Sequence, residues 1–220
     1  EIPLFAILIS AMENVLLTII SANPYDKPTA RHVFRESFKI LSLIAFPIFF
    51  LLLTAGPEAF SIIFNNKYNA SLPVFLISIF IIPVRITHYG VILQCYGQSR
   101  KIALGSVLDI LFSLLLMFIL YPVMGTPGVA LAIVVSTYLQ AWFYTWQSAK
   151  TMKLGTAGML PGTFLIKFWL SLMALYGLLY WLKKYFNSTA SLAIISAVTV
   201  VIIITGLARY WTFQRASAKK

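Results

Sequence analysis

Seven apolar stretches, each about as long as a bilayer-crossing helix, leave this chain little choice of fold. They run over 3–21, 39–56, 72–94, 102–121, 127–147, 161–183 and 190–209. A helix rises about 1.5 Å per residue, so roughly 20 apolar residues cover the hydrocarbon core. Of the 220 residues 60% are hydrophobic and only 10% charged. Soluble domains carry about 25% charged residues. A core of this size cannot bury the excess, so the reading is an all-α, polytopic integral membrane protein with seven transmembrane helices. Turn residues separate the spans: "SANPYDKP", "AGPEAF", "YGQSRK", "YPVMGTPG", "LGTAGMLPG" and "KKYFNSTA". Residues 1–149 form a five-span transmembrane core, and 150–220 add two further spans and a basic tail.

The net charge of +11 would suggest nucleic acid in a soluble protein. Here it follows the bias of membrane proteins towards cationic cytoplasmic loops, and no nucleic-acid partner is expected. Loop 22–39 carries Lys27, Arg31, Arg35 and Lys39, loop 95–101 carries Arg100 and Lys101, and loop 148–160 carries Lys150 and Lys153. The tail adds Arg209, Arg215, Lys219 and Lys220. The alternation puts all of these on one side, against Lys67, Lys183 and Lys184 on the other. The N-terminal end is therefore placed outside and the C-terminus in the cytoplasm. The chain starts at Glu1 without a signal-peptide n-region, and reads as the C-terminal part of something longer. Residues 57–71 are too polar to span. They read as an external interfacial helix and turn, with Phe60, Ile63, Phe64 and Tyr68 on one face at the headgroups.

Charged groups inside spans are rare, and they pair with each other or mark a pathway. Four occur here besides His88: Glu13, Arg85, Asp109 and Lys167. Lys167 is close enough to its span's end to snorkel. Arg85 precedes Cys95 by ten residues, about 15 Å at helical rise, which is too deep for snorkelling. Asp109 follows Lys101 by eight, about 12 Å deep. A hairpin of the third and fourth spans sets the two nearly level, so Asp109 is one candidate partner of Arg85 and Glu13 a second. Arginine's planar fork suits a carboxylate or a phosphate. Arg85 therefore reads either as half of a packing ion pair or as an anion-binding group in a watery cavity. His88 lies one turn on, on the same face. Pro47 and Pro83 favour kinks. Single Cys95 excludes an intrachain disulfide. No metal-ligand spacing, phosphate loop or nucleophile motif appears, so no metal, cofactor or catalytic residue is expected.

The run from Phe64 to Tyr144 resembles the C-terminal half of polysaccharide flippases. Their superfamily also holds multidrug antiporters and lipid II flippases. The carrying elements are Tyr68 to Ser71 ("Y-x-x-S"), Pro83-Val84-Arg85 ("P-[LV]-R"), Leu93-Gln94 with Gly97 ("L-Q-x-x-G"), and the basic turn Arg100-Lys101. Asp109 follows, then Gly128 to Ala132 ("G-V-A-L-A"). The likeness extends over residues 3 to 149, and 150–220 match as the two extra C-terminal helices of fourteen-helix members. It implies the second lobe of a flippase-type fold in the bacterial inner membrane. The implied substrate is an undecaprenyl-diphosphate-linked oligosaccharide, of O-antigen type, for surface polysaccharide. It implies Arg85, His88, Tyr89 and Gln94 on a substrate cavity, Glu13 and Asp109 in pairing or coupling, and a first lobe missing from this chain as partner. A multidrug or cation antiporter of the same superfamily is the alternative. A membrane enzyme of envelope assembly would need a larger external loop than these 15 or so residues.

Overall fold

The computed structural model describes residues 3–23, 25–64, 68–86, 90–185 and 187–217. Among these there are helices and turns and no strand. The helices are α1 (Pro3–Ala22), α2 (Lys27–Phe64), α3 (Leu72–Ser78), α4 (Ile82–Arg85) and α5 (Val91–Cys95). The second half contributes α6 (Ser99–Met124), α7 (Thr126–Met152), α8 (Thr156–Met159), α9 (Gly162–Leu182) and α10 (Ser188–Ser217). The helices α2, α6, α7, α9 and α10 are long and apolar enough to cross a membrane, and residues 6–22 and 69–85 form shorter apolar helices. The all-helical polytopic reading holds, and every apolar stretch except 72–94 falls, to within a residue at its ends, in a single helix.

Three sequence expectations change. The stretch 22–39 is no loop, because α2 begins at Lys27 and continues for 38 residues, about 57 Å at helical rise. Its start is capped by the Asp26 carboxylate, which accepts a hydrogen bond from the Thr29 amide at 3.1 Å. Hydrogen bonding to Thr29 also holds the exposed Asp26 carboxyl below its ordinary range. Second, residues 57–64 continue α2 through Pro57 and form no separate interfacial helix. Phe60 is buried, 5.4 Å from the Phe75 ring, while Phe64 and Tyr68 stay exposed. Apolar packing against α3 wins over a headgroup position. Lys67 lies outside the described residues. Third, the stretch 72–94 is not one helix. A 3₁₀ turn at Ile79–Ile81 separates α3 from α4, and α4 stops at Arg85. Pro83 supplies no backbone N–H to the ladder. Gly90, at φ +74°, holds a left-handed turn that a side chain would strain before α5 begins.

The bundle is built around α2. Its Phe46, Phe49 and Phe50 meet Trp169 and Tyr176 of α9 in one aromatic core, with Phe50 5.0 Å edge-on to Trp169 and stacked at 5.6 Å on Tyr176. The Tyr176 hydroxyl is 2.6 Å from Thr199 Oγ1, which ties α9 to α10. At one end of α9, Lys183 pairs with Glu58 and donates to the Thr54 carbonyl at 3.0 Å. At the opposite end, Lys27 Nζ donates to the Thr151 carbonyl and Arg31 Nε to the Gly158 carbonyl, and Thr151 Oγ1 donates to Gln98 Oε1. The start of α2, the α5–α6 turn, the end of α7 and α8 thus share one basic end of the bundle.

The α6–α7 hairpin packs through small residues, as membrane helices without a hydrophobic drive between them tend to do. Gly105 sits under the buried Tyr144 ring, and Gly128 faces the Leu120 carbonyl. A Cβ at position 128 would lie 2.5 Å from that oxygen, whereas one at Gly177 in α9 would meet nothing within 4 Å. Gly128→Ala should therefore destabilise the solubilised protein by about 1–3 kcal/mol. Gly177→Ala should leave it unchanged or raise its stability by up to about 1 kcal/mol, by helix propensity. Thermal unfolding of both variants in detergent checks the contrast. Equal midpoints would refute the close approach.

Candidate functional site

Arg85 occupies the last turn of α4 and is exposed. The terminal carbonyls of a helix lack intrahelical partners and carry partial negative charge. Ending a helix at Arg85 therefore lowers the cost of a cation at depth. Glu13, half-buried on α1, lies within electrostatic reach of Arg85. The two elements are held together because Leu16 and Ile20 of α1 bury against Val91 and Ile92 of α5 and Ala30 and Phe34 of α2.

Asp109 behaves otherwise. It is partly buried on α6, its Oδ1 is enclosed without a hydrogen bond, and among the described residues it forms no ion pair. The pairing of Arg85 with Asp109 envisaged from equal depth does not appear. Equal depth assumed an unbroken ladder from Arg85 to Cys95, and the chain leaves the helix after Arg85. Gln94 is exposed on α5. His88 and Tyr89 lie outside the described residues, and their place on the proposed cavity wall is unexamined. No group of three or more His, Cys, Asp or Glu able to hold a metal occurs among the described residues.

The sequence reading missed a polar stripe that spacing alone reveals. Ser10, Asn14, Thr18 and Ser21 of α1 recur at intervals of four, four and three, so they share one helical face, and all are exposed. The exposed large side chains of α6 are of another kind, with Leu104, Val107, Leu111, Leu114, Leu115 and Phe118 among them. Exposed apolar surface of that extent suits hydrocarbon. A stripe of hydroxyls and an amide suits water better than hydrocarbon.

An all-helical bundle with this much exposed apolar surface has the architecture of a polytopic membrane protein. The comparisons narrow this class. Residues 2–73 match the family described as polysaccharide biosynthesis protein. No curated protein matches the chain. Among solved structures, 98% of the chain superposes on the lipid II flippase MurJ in its inward closed conformation, with a TM-score of 0.70 at 13% identity. The chain spans 45% of that protein's length. At this identity the likeness is one of fold. A polysaccharide-biosynthesis family match and a flippase-type fold both accord with the resemblance read from the sequence.

We propose that Glu13, within electrostatic reach, is a residue whose charge Arg85 offsets. Arg85→Gln should lower stability, and adding Glu13→Gln should recover part of the loss. The coupling should be about 1 kcal/mol, below that of a fully buried pair because Arg85 is exposed. Adding Asp109→Asn instead should recover nothing. Unfolding midpoints of the single and double variants measure this, and recovery with Asp109→Asn alone would reassign the pair.

Proposed function

We propose that this chain is the second lobe of a flippase that moves an oligosaccharide linked to undecaprenyl diphosphate across the bacterial inner membrane, for surface polysaccharide. The carrying observation is the exposed Arg85 at the end of α4, together with the polar stripe of α1. A diphosphate crossing the hydrocarbon needs a desolvation-tolerant cation along its path, and a guanidinium can bind it with two teeth. Glu13 keeps Arg85 in place between substrates, and Gln94 contributes a polar contact; His88 and Tyr89, which lie outside the described residues, are assigned to substrate by the resemblance alone. The basic end of the bundle is the cytoplasmic one in this reading, which puts the C-terminus in the cytoplasm. The transport unit includes a first lobe that faces this wall, since the matched flippase is more than twice as long as this chain. One lobe alone encloses no cavity.

One observation favours a second reading, a cation antiporter of the same superfamily. The enclosed Asp109 Oδ1 has no hydrogen-bond partner, and a carboxylate in that state suits a proton or small cation taken up in coupling. An exposed arginine on the wall is the feature that such a substrate would not require.

The test is complementation of a flippase-null strain by the full-length protein, with protein level followed in parallel. Arg85→Ala should abolish surface polysaccharide at normal protein level. Arg85→Lys, which keeps the charge but loses the fork, should retain a part. Full complementation by Arg85→Ala at normal level would reduce the arginine to packing.

A further inference from the structure

A second charged feature lies away from the Arg85 wall. On the first third of α2, Pro28, Arg31, His32, Arg35, Glu36 and Lys39 line an open cleft of about 440 Å³. Their spacing puts them on one helical face. Ala30 and Phe34 are buried with Leu16, Ile20 and Val91, so the cleft opens elsewhere. Its bounding contacts are with α8, through Arg31 Nε on the Gly158 carbonyl at 2.9 Å, and with α10, through the Tyr210 hydroxyl on Glu36 at 2.8 Å.

We propose that this cleft binds the phosphate group of an anionic membrane lipid. Three cations, Arg31, Arg35 and Lys39, follow one another at four-residue intervals. Like charges at that spacing destabilise a helix, and an anion seated among them reverses the sign. The single carboxylate of the cleft, Glu36, is engaged by Lys39 at 2.6 Å and by Tyr210, so one carboxylate stands among Arg31, Arg35 and Lys39. Arg31 is oriented by its Nε, and its terminal nitrogens remain for a ligand. Arg35 has no hydrogen-bond or ion-pair partner among the described residues, and its guanidinium is the natural two-toothed donor to phosphate.

The level of the cleft argues for a lipid over a soluble anion. Helix α2 is far longer than the roughly 20 residues a bilayer core requires. More of the excess lies at this charged end, before the apolar span 39–56, than beyond that span at 57–64. Helix α10 brings Tyr210 and an exposed Trp211 to the same end, and these two residue types mark the headgroup layer. The cleft volume lies within the range of small-molecule sites. The inference stands apart from the flippase reading and holds whatever the protein transports.

The experiment uses the full chain in phosphatidylcholine nanodiscs, with and without phosphatidylglycerol, and follows the unfolding midpoint as the anionic lipid is titrated in. Phosphatidylglycerol should raise the midpoint of the wild type. Arg35→Gln should weaken the apparent lipid affinity about tenfold, the loss expected for one charge-assisted phosphate contact. Its midpoint in phosphatidylcholine alone should match the wild type, which reports that it folds. Arg35→Lys should lie between the two. Arg100→Gln removes the same charge at the same end of the bundle but outside the cleft, and should change the affinity less than twofold, roughly the scale of a surface charge. An equal loss for Arg100→Gln would overturn the proposal in favour of diffuse surface charge. So would an unchanged affinity for Arg35→Gln. A midpoint rise of the same size from inorganic phosphate in phosphatidylcholine discs, lost in Arg35→Gln, would overturn the lipid as source and assign the cleft to a soluble anion.

Discussion

Hydrocarbon offers no hydrogen bonds, and this constraint decides what the interruption after Arg85 means. Non-helical backbone at membrane depth persists only inside protein or beside water. Helix α4 ends at Arg85 and α5 begins at Val91. Ile86 and Gly90, which flank the change, are both buried. The exposed arginine is the side chain that this protected region turns outward. A cation facing hydrocarbon at membrane depth is costly. Discontinuous helices recur at the substrate sites of membrane transporters for this reason.

The rest of the molecule arranges itself around that point. Helix α1 lies against α5 and exposes Ser10, Asn14, Thr18 and Ser21, with Glu13 in electrostatic reach of Arg85. Helix α2 carries α9 and α10 on its aromatic side, where Phe46, Phe49 and Phe50 meet Trp169 and Tyr176. The α6–α7 hairpin closes through Gly105 and Gly128 and turns Leu111, Leu114 and Phe118 outward. The basic ends of α2 and α6 gather at one end.

The spans were legible in the sequence because hydropathy is a sum over about 20 residues and tolerates local irregularity. Continuity was not legible for the same reason. The helical start of α2 hid behind Lys27, Arg31 and Arg35, which read as a cytoplasmic loop. Only the four-residue spacing of the cations, together with Asp26 as cap, marks the helix. In the third stretch Pro83 signalled a kink, but the decisive residue is Gly90, whose left-handed turn no hydropathy window registers. Depth arithmetic over an unbroken span put Asp109 level with Arg85, with Glu13 as a second candidate; the helix ends at Arg85, and Glu13 is the carboxylate within its electrostatic reach. The polar stripe of α1 was readable at helical spacing and went unread because Glu13 drew the attention.

The central claim is that the α1 face beside Arg85 borders water at membrane depth. Cysteine accessibility tests it most directly, in the full-length protein in native membranes with Cys95→Ser as background. A single cysteine at Asn14→Cys should react with a charged, membrane-impermeant thiol reagent, and one at Leu114→Cys, on the apolar face of α6, should stay inert. Equal protection of both positions, across conditions that trap the transporter in each of its states, would contradict the account and put the arginine's wall against lipid or packed protein.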